Sequence, residues 1–300
     1  MNVLTEASGG VASMFIVRAI QQAGHRAIAS DISQENSGSL LADAYIQFPS
    51  INAASLWTQV IALIKQHNVQ VVIPSLDDML LGWDEHRRLL DELGITLILS
   101  PKATLDVCLD KWLTYQFFCE IGVPTPQSSL EAIYPLIKPR HGRGAKGIVY
   151  LSQTQRLDYD MSEQLSQHYL SGVEYTIDVL CNQAGEPVYI IPRSRDKILN
   201  GKAVDAQVVY DEMMIDWVKL ICTNLLFVGA INIQCFKEAS GDIFFTEINP
   251  RLASGMALSF AASENWFGAM INNHIHTMPI IPTDVLWGLK MYRYYREVFT

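Results

Sequence analysis

The sequence predicts an α/β protein: a doubly wound parallel sheet in the first third, then α+β units built on antiparallel strands. Three observations carry this reading. Short apolar runs alternate with amphipathic stretches through residues 1–100, the pattern of consecutive βαβ units. Residues 135–150 read as strand, Gly-rich basic loop, strand, with no helix after the loop. Four apolar runs follow at 174–181, 187–192, 227–236 and 243–248, the last two joined by the turn signal Ala239-Ser240-Gly241-Asp242, which predicts an antiparallel pair.

Each element has a local reason. Val3-Leu4 opens a strand, 11–23 reads as a helix, and Ala27-Ile28-Ala29 forms a second strand ending at Asp31. Trp57, Val60, Ile61 and Ile64 recur at helical spacing within 55–67. Val71-Val72-Ile73 is a buried strand, 77–93 one charged amphipathic helix, and 95–99 another strand. A helix over 109–121 is closed by Gly122 and followed by the stiff connector Val123-Pro124-Thr125-Pro126. Residues 153–164 are polar and peripheral, and 211–224 is a helix with Met214, Val218, Ile221 and Cys222 on one side. The expected domains are 1–100, 101–172 and 173–300.

With 300 residues, 49% apolar and 18% charged, this is an ordinary globular composition. A formal net charge of -9 argues against general nucleic-acid binding, which needs a basic face. Cys108, Cys119, Cys181, Cys222 and Cys235 are scattered and odd in number, with no CxxC pair. This usage suggests packed, reduced thiols in a cytoplasm, not a disulfide framework or a zinc site. The start has no charged segment followed by a long apolar run, and no apolar stretch reaches the ~20 residues of a membrane span. A cytoplasmic protein away from the membrane is expected.

The chemistry concentrates in two clusters. Phe245-Thr246-Glu247-Ile248-Asn249-Pro250-Arg251 puts a carboxylate, an amide and a guanidinium on alternate positions at a strand end, so all three can look into one site. An acid with an amide oxygen suits hard Mg2+, and a nearby Arg can hold phosphate oxygens by a two-pronged bond. Antiparallel pairing would bring Gln234 beside Glu247 and Asn249. The second cluster, residues 140–147, holds three glycines and three formal cations directly after Lys138; its glycines let backbone N–H groups approach an anion. Alone, such a loop is as well read as a solvated turn, and Gln234 as a polar residue satisfied by backbone.

With these residues in order, the chain resembles an ATP-grasp enzyme, most closely the single-unit proteins related to the carbamoyl phosphate synthase large subunit. The resemblance covers nearly the whole chain. It rests on Asp110-Lys111 leading to Gly122-Val123-Pro124-Thr125-Pro126, on Lys138 with its loop, on Gly172-Val173-Glu174-Tyr175-Thr176-Ile177-Asp178-Val179, and on Glu247-Ile248-Asn249-Pro250-Arg251. It implies a Rossmann-like pre-ATP-grasp domain followed by a two-lobed ATP-grasp fold.

It also implies roles. Lys111 and Lys138 contact ATP phosphates, and the loop with Arg140, Gly142, Gly144, Lys146 and Gly147 closes as a lid. Gln167, His168, Tyr169 and Leu170 form the hinge strand against adenine, and Glu174 takes the ribose hydroxyls. Gln234, Glu247 and Asn249 hold Mg2+, usually two ions, with Mn2+ as a substitute. Arg251 steadies the transferred phosphoryl group. Relatives often have Glu where His168 stands and an acid where Gln234 stands; Gln matches the carbamoyl phosphate synthase pattern.

Other residues keep two readings. Arg193 or Arg195 faces the site and binds a carboxylate substrate, or sits at a solvated hairpin end. Ser254-Gly255 starts a helix whose N–H groups face an anion. Asp178 is either a support to the site or core-edge polarity. Asp77 and Asp78 touch a second substrate or, the favoured reading, cap the helix they open. Ser8-Gly9-Gly10-Val11-Ala12-Ser13 with Asp31 faintly resembles a dinucleotide loop but lacks its spacing. His274 and His276 would share one strand face without an acidic partner.

The expected function is an ATP-dependent carboxylate–amine ligase working through an acyl-phosphate on amino acids or other small carboxylates, with a homodimer left open. Bicarbonate phosphorylation and a non-catalytic ATP sensor are the alternatives, and a nicotinamide enzyme rests on the N-terminal loop alone.

Overall fold

The computed structural model describes residues 1–10, 13–142, 144, 146–156, 158–199, 201–294, 297 and 299, with backbone only at 13 and 202. The first sheet is parallel throughout, with order β3-β2-β1-β4-β5. Its strands are β1 (Asn2–Thr5), β2 (Arg26–Asp31), β3 (Ala44–Gln47), β4 (Val71–Val72) and β5 (Thr96–Leu97). They alternate with α1 (Ser13–Gln22), α2 (Ser37–Leu41), α3 (Leu56–Gln66), α4 (Asp77–Glu85) and α5 (Arg87–Glu92). The central strands carry apolar residues on both faces because both faces are covered. Leu4, Ile28 and Val72 pack under α3, α4 and α5 through Val60, Ile64, Leu80, Trp83 and Leu90.

The charged helix expected over 77–93 is two helices. His86 interrupts it: its Nδ1 lies 2.8 Å from the Gly82 carbonyl, and its ring stacks on Trp57 at 4.7 Å. A side chain that takes a helix carbonyl competes with the backbone ladder. Gly82 lacks a Cβ where the Trp57 ring crosses the helix. The helix expected over 109–121 is α7 (Lys111–Glu120), preceded by a helix that was not expected, α6 (Lys102–Leu109). Asp110 caps α7 by accepting from Trp112 N at 2.8 Å.

A small antiparallel sheet follows, with order β6-β9-β7-β8, from β6 (Ser128–Ser129), β7 (Leu136–Pro139), β8 (Val149–Tyr150) and β9 (Gln164–Gln167). The short α8 (Gln153–Arg156) lies between β8 and β9. The large antiparallel sheet has order β11-β10-β14-β15, from β10 (Val173–Cys181), β11 (Pro187–Ser194), β14 (Gly229–Lys237) and β15 (Ile243–Asn249). One face packs Ile177, Val179, Ile231, Ile233 and Ile248 onto α7 and α9 (Glu212–Asn224). A three-stranded sheet of β12 (Lys197–Leu199), β13 (Lys202–Gln207) and β16 (Lys290–Tyr292) was not expected. The helix start read at Ser254-Gly255 is a 3-10 turn (Ser254–Met256) leading into α10 (Ala257–Ala262), whereas α11 (Trp266–His276), which carries both histidines, was not expected.

The far face of the parallel sheet shares one core with the large lobe. Val17 and Ile20 of α1 join Trp266, Phe267 and Met270 of α11 and Leu180, Ile191 and Ala230 of the large sheet. This apolar joint fixes the carboxyl edge of the first sheet against the end of β15. Among the described residues, no helix is long and apolar enough to cross a membrane. The five cysteines are free, and all but Cys119 are buried.

Candidate functional site

In an antiparallel pair, directly opposed residues share a face. The register pairs Gln234 with Glu247 and Asn232 with Asn249. Thr176 pairs with Gln234 and Asp178 with Asn232, and Arg193 pairs with Thr176. One polar face therefore collects residues from all four strands, while the intervening apolar residues enter the core. A bulge after Gln234 lets the β14–β15 ladder shift before Phe245.

Asn249 Nδ2 donates to Asn232 Oδ1 at 3.1 Å and to Glu247 Oε1 at 3.2 Å. The Gln234 amide has two orientations. With nitrogen toward Glu247, it donates at 2.6 Å and its oxygen accepts from Arg195 Nη1 at 3.0 Å. Turned over, its oxygen meets the Glu247 oxygen, which is favourable only if a cation lies between them. One carboxylate and two amide oxygens fit Mg2+, which completes its shell with water and substrate phosphates. Among the described residues, no group of three or more His, Cys, Asp or Glu could hold a metal. The set is too weakly charged to retain a divalent ion alone.

Lys138 faces this wall from β7. It is only 6% exposed, and its Nζ donates to Gln167 Oε1 at 2.9 Å. Burial depresses its pKa to about 8; Glu247 pulls it back up and Lys111 pushes it further down. Lys111, Glu247 and Asn249 border one cavity. Lys111, at the start of α7, donates from Nζ to the Gly142 carbonyl at 2.8 Å. Arg140 is engaged at the loop base, where its Nε donates to Asp110 Oδ1 at 3.2 Å. Gly142, Gly144 and Gly147 take φ of 119°, 69° and 77°, left-handed values that suit glycine. Lys146 is exposed, and Arg143 and Ala145 lie outside the described residues. At the loop tip, a Cβ on Gly201 would be 3.3 Å from the Gly144 carbonyl, so the loop meets the β12–β13 hairpin.

Two cavities mark the cleft. One of about 210 Å3 is bordered by Asp77, Asp78, Lys111, His141, Glu247 and Asn249. The other, about 430 Å3, lies against Gln127, His168, Tyr169, Leu170 and Phe244. The hinge is less strand-like than expected: β9 ends at Gln167, whose side chain turns to Lys138. Glu238 ties the hinge's far end by accepting from Ser171 N at 2.9 Å and Gly172 N at 3.1 Å.

The two candidate arginines separate. Arg193 Nε donates to the buried Asp178 at 2.8 Å, and Ser259 Oγ donates to the same carboxylate at 2.7 Å. Gly255 packs on the Arg193 guanidinium, with no room for a Cβ. Arg193 and Asp178 therefore build the floor, and the Ser254–Met256 turn covers it. Arg195 instead reaches Glu174, Nη1 to Oε1 at 2.5 Å, and the Gly201 carbonyl at 2.8 Å. Burial raises the Glu174 carboxyl against the pull of Arg195, and Glu247 adds to the rise. Glu174 stands at the cleft with Arg195 as its present partner.

Arg251 differs from expectation. Its Nε and Nη2 donate to the two Asp77 oxygens at 2.9 and 2.8 Å. Asp77 lies in the first turn of α4, directly after the N-cap Leu76. The two-pronged edge of Arg251 is therefore held by Asp77. Nothing in the spacing of residues 174 positions apart signals it. Asn232 and Glu6 were also not singled out; Asn232 could have been found by carrying the alternation one step back from Gln234. His274 turns its Nδ1 to the Met270 carbonyl at 2.9 Å, away from any metal role.

Residues 160–289 match the family described as ATP-grasp in the biosynthetic pathway with Ter operon, and residues 7–98 match the PylC-like N-terminal domain. The arginine-specific carbamoyl phosphate synthase large chain of Bacillus subtilis is 29% identical over 54% of this chain and 18% of its own length. D-alanine–D-alanine ligase B of Pseudomonas putida is 26% identical over 54% of this chain and 60% of its own. The chain thus spans less than two thirds of either relative. The fold resembles N5-carboxyaminoimidazole synthetase from Staphylococcus aureus, solved with ADP, at a TM-score of 0.74 and 16% identity, over 95% of this chain and 80% of that one. The chain carries an ATP-grasp domain behind a PylC-like N-terminal domain.

Proposed function

We propose that this ATP-grasp protein is an ADP-forming ligase that joins a small carboxylate, such as an amino acid, to an amine. The observation that carries the reading is the facing of Gln234, Glu247 and Asn249 by Lys138 and Lys111 across one cleft. The ligase name of the Pseudomonas relative, which joins one amino acid to another, supports the substrate class.

Lys111 and Lys138 bind and orient the ATP phosphates, and the second cavity takes the base between hinge backbone and Phe244. Glu174 reaches the ribose once Arg195 releases it. Gln234, Glu247 and Asn249 would hold one or two Mg2+ ions, or Mn2+ in their place, which would neutralise phosphate charge. The carboxylate oxygen bonds to the γ-phosphorus while the bond to the ADP oxygen breaks. The amine nitrogen then attacks the acyl carbon, phosphate leaves with the electron pair, and the nitrogen gives its proton to solvent. Such chemistry needs positioning and charge neutralisation more than a protein nucleophile. Arg195 lies where a substrate carboxylate or the transferring group would meet it. The loop with Gly142, Gly144, Lys146 and Gly147 keeps water off the acyl-phosphate. The partners are small molecules, without nucleic acid or membrane, in a cytoplasmic setting.

An ADP-release screen over amino acids and small carboxylates with amine pools tests this, with products identified by mass spectrometry. A bicarbonate arm belongs in it, because the Bacillus relative is a carbamoyl phosphate synthase chain. Amide product supports the ligase, and bicarbonate-dependent ADP release without amide favours carbamoyl-phosphate-type chemistry. ATP binding with no ADP from any pool would leave a nucleotide sensor.

A further inference from the structure

We propose that Asp77, delivered by the N-terminal domain, is a positioning residue that sets the orientation of Arg251 at the reaction centre; this rests on the ligase reading above. Arg251 has five N–H donors. Nε and one Nη2 hydrogen go to Asp77, the other Nη2 hydrogen to Asn249 Oδ1 at 3.1 Å, and one from Nη1 to the Leu252 carbonyl at 3.3 Å. A single Nη1 hydrogen remains for a ligand. Arg251 can present a fixed charge and one N–H to a phosphate oxygen, but it cannot clamp two oxygens while Asp77 holds that edge. Its other anchor, Asn249, belongs to the proposed metal set, so the guanidinium orientation is coupled to the site itself.

The carboxylate that imposes this is itself held from behind. Asp77 follows the connection out of β4, and Glu6 at the end of β1 grips that connection. Glu6 Oε2 accepts from Ser75 N at 3.1 Å and Leu76 N at 3.4 Å, and its Oε1 accepts from Trp83 Nε1 on the next turn of α4 at 2.8 Å. Ser75 Oγ donates to the Glu6 carbonyl at 3.1 Å. Glu6 is 3% exposed. It fills the crevice between β1 and β4, where the strand order reverses and sheets of this kind otherwise take ligands. The crevice has become a mount for Asp77, and the shared apolar core of α1 and α11 holds that mount against β15. Asp77 and Arg251 are 15% and 13% exposed, so water screens the pair little.

A plain interdomain salt bridge would give the same distances, so the test must read orientation and turnover apart from stability. In the full chain, Asp77→Asn should lower kcat about 10- to 100-fold while the MgATP dissociation constant, by calorimetry, stays within about twofold. Asp77→Glu should recover part of the loss. The double variant Asp77→Asn/Arg251→Lys should be no slower than Arg251→Lys alone, because Asp77 acts through Arg251. Losses that multiply, or an MgATP affinity and melting temperature that fall in step with kcat, would overturn the proposal. If the wild-type protein releases no ADP from any pool, the ligase reading fails separately. The positioning role is then decided by arginine Nε–H NMR with MgADP bound. A sharp, exchange-protected Arg251 signal that Asp77→Asn abolishes upholds it, and a signal unchanged in that variant sinks it.

Discussion

The parallel N-terminal sheet and the large antiparallel sheet both gather acids and backbone donors at one edge, yet only one of them leaves a site. At the carboxyl edge of the parallel sheet, Asp31 accepts from Gly9 N at 2.9 Å and Ser33 N at 3.1 Å, and Glu6 takes the two N–H groups after β4. In the described part of the N-terminal turn the protein satisfies its own amides: Ser8 N and Gly10 N donate to the Ser30 and Ala7 carbonyls, and Gly9 N to Asp31. On the large sheet, Glu247 is the one carboxylate among three candidate ligands; Lys111 at the start of α7 shares a cavity with it, and Lys138 of β7 feels its charge. Under the proposed reading, an anion and a cation entering together complete the pairing there.

The comparison breaks most visibly at Glu247. Replacing it with Gln removes the only carboxylate of the proposed metal set and should cut ADP release on the order of 1,000-fold while circular dichroism stays unchanged. Full turnover in that variant would show that the large sheet is no more a site than the parallel one.

Glu6 sharpens the other side. Burial raises its carboxyl to about 7 against three N–H donors that favour the anion. The folded protein thus holds a proton that the unfolded chain releases. This stabilising contribution is complete below the unfolded value of 4.5 and is lost as pH climbs through about 7. Stability should fall across that window by on the order of 3 kcal/mol. Urea denaturation between those limits checks it, and Glu6→Gln should flatten the slope.

Lys138 carries a comparable effect in the nucleotide. Lys138→Met should weaken MgATP binding about 100-fold by calorimetry, the loss of a charge-assisted contact. Because its pKa is held near 8 by burial, wild-type affinity should decline above pH 8 and the variant's should not. An affinity independent of pH in both would remove Lys138 from the phosphates.

The smallest effect belongs to the closed edge. Asp31→Asn should cost about 1 kcal/mol in stability and leave ADP release unchanged, and NAD(H) should give no binding heat. Measurable dinucleotide binding would reopen the N-terminal loop as a site.

Much of this was legible in one dimension. Glu247, Asn249 and Gln234 could be placed on one face because strand alternation has period two and the Ala239–Asp242 turn signal joins the strands. Lys138 could be read off the end of β7 for the same reason, and the βαβ rhythm announced the parallel sheet. These signals are local: a few residues suffice to express them. Tertiary structure alone decided which charge met which. Arg193 went to Asp178, Arg195 to Glu174, Arg140 to Asp110, and Arg251 to Asp77. It also converted the histidine strand into α11 and added the sheet of β12, β13 and β16. An ion pair is chosen by distance and desolvation after the cores have docked, and neither quantity is written in the spacing of residues along a chain.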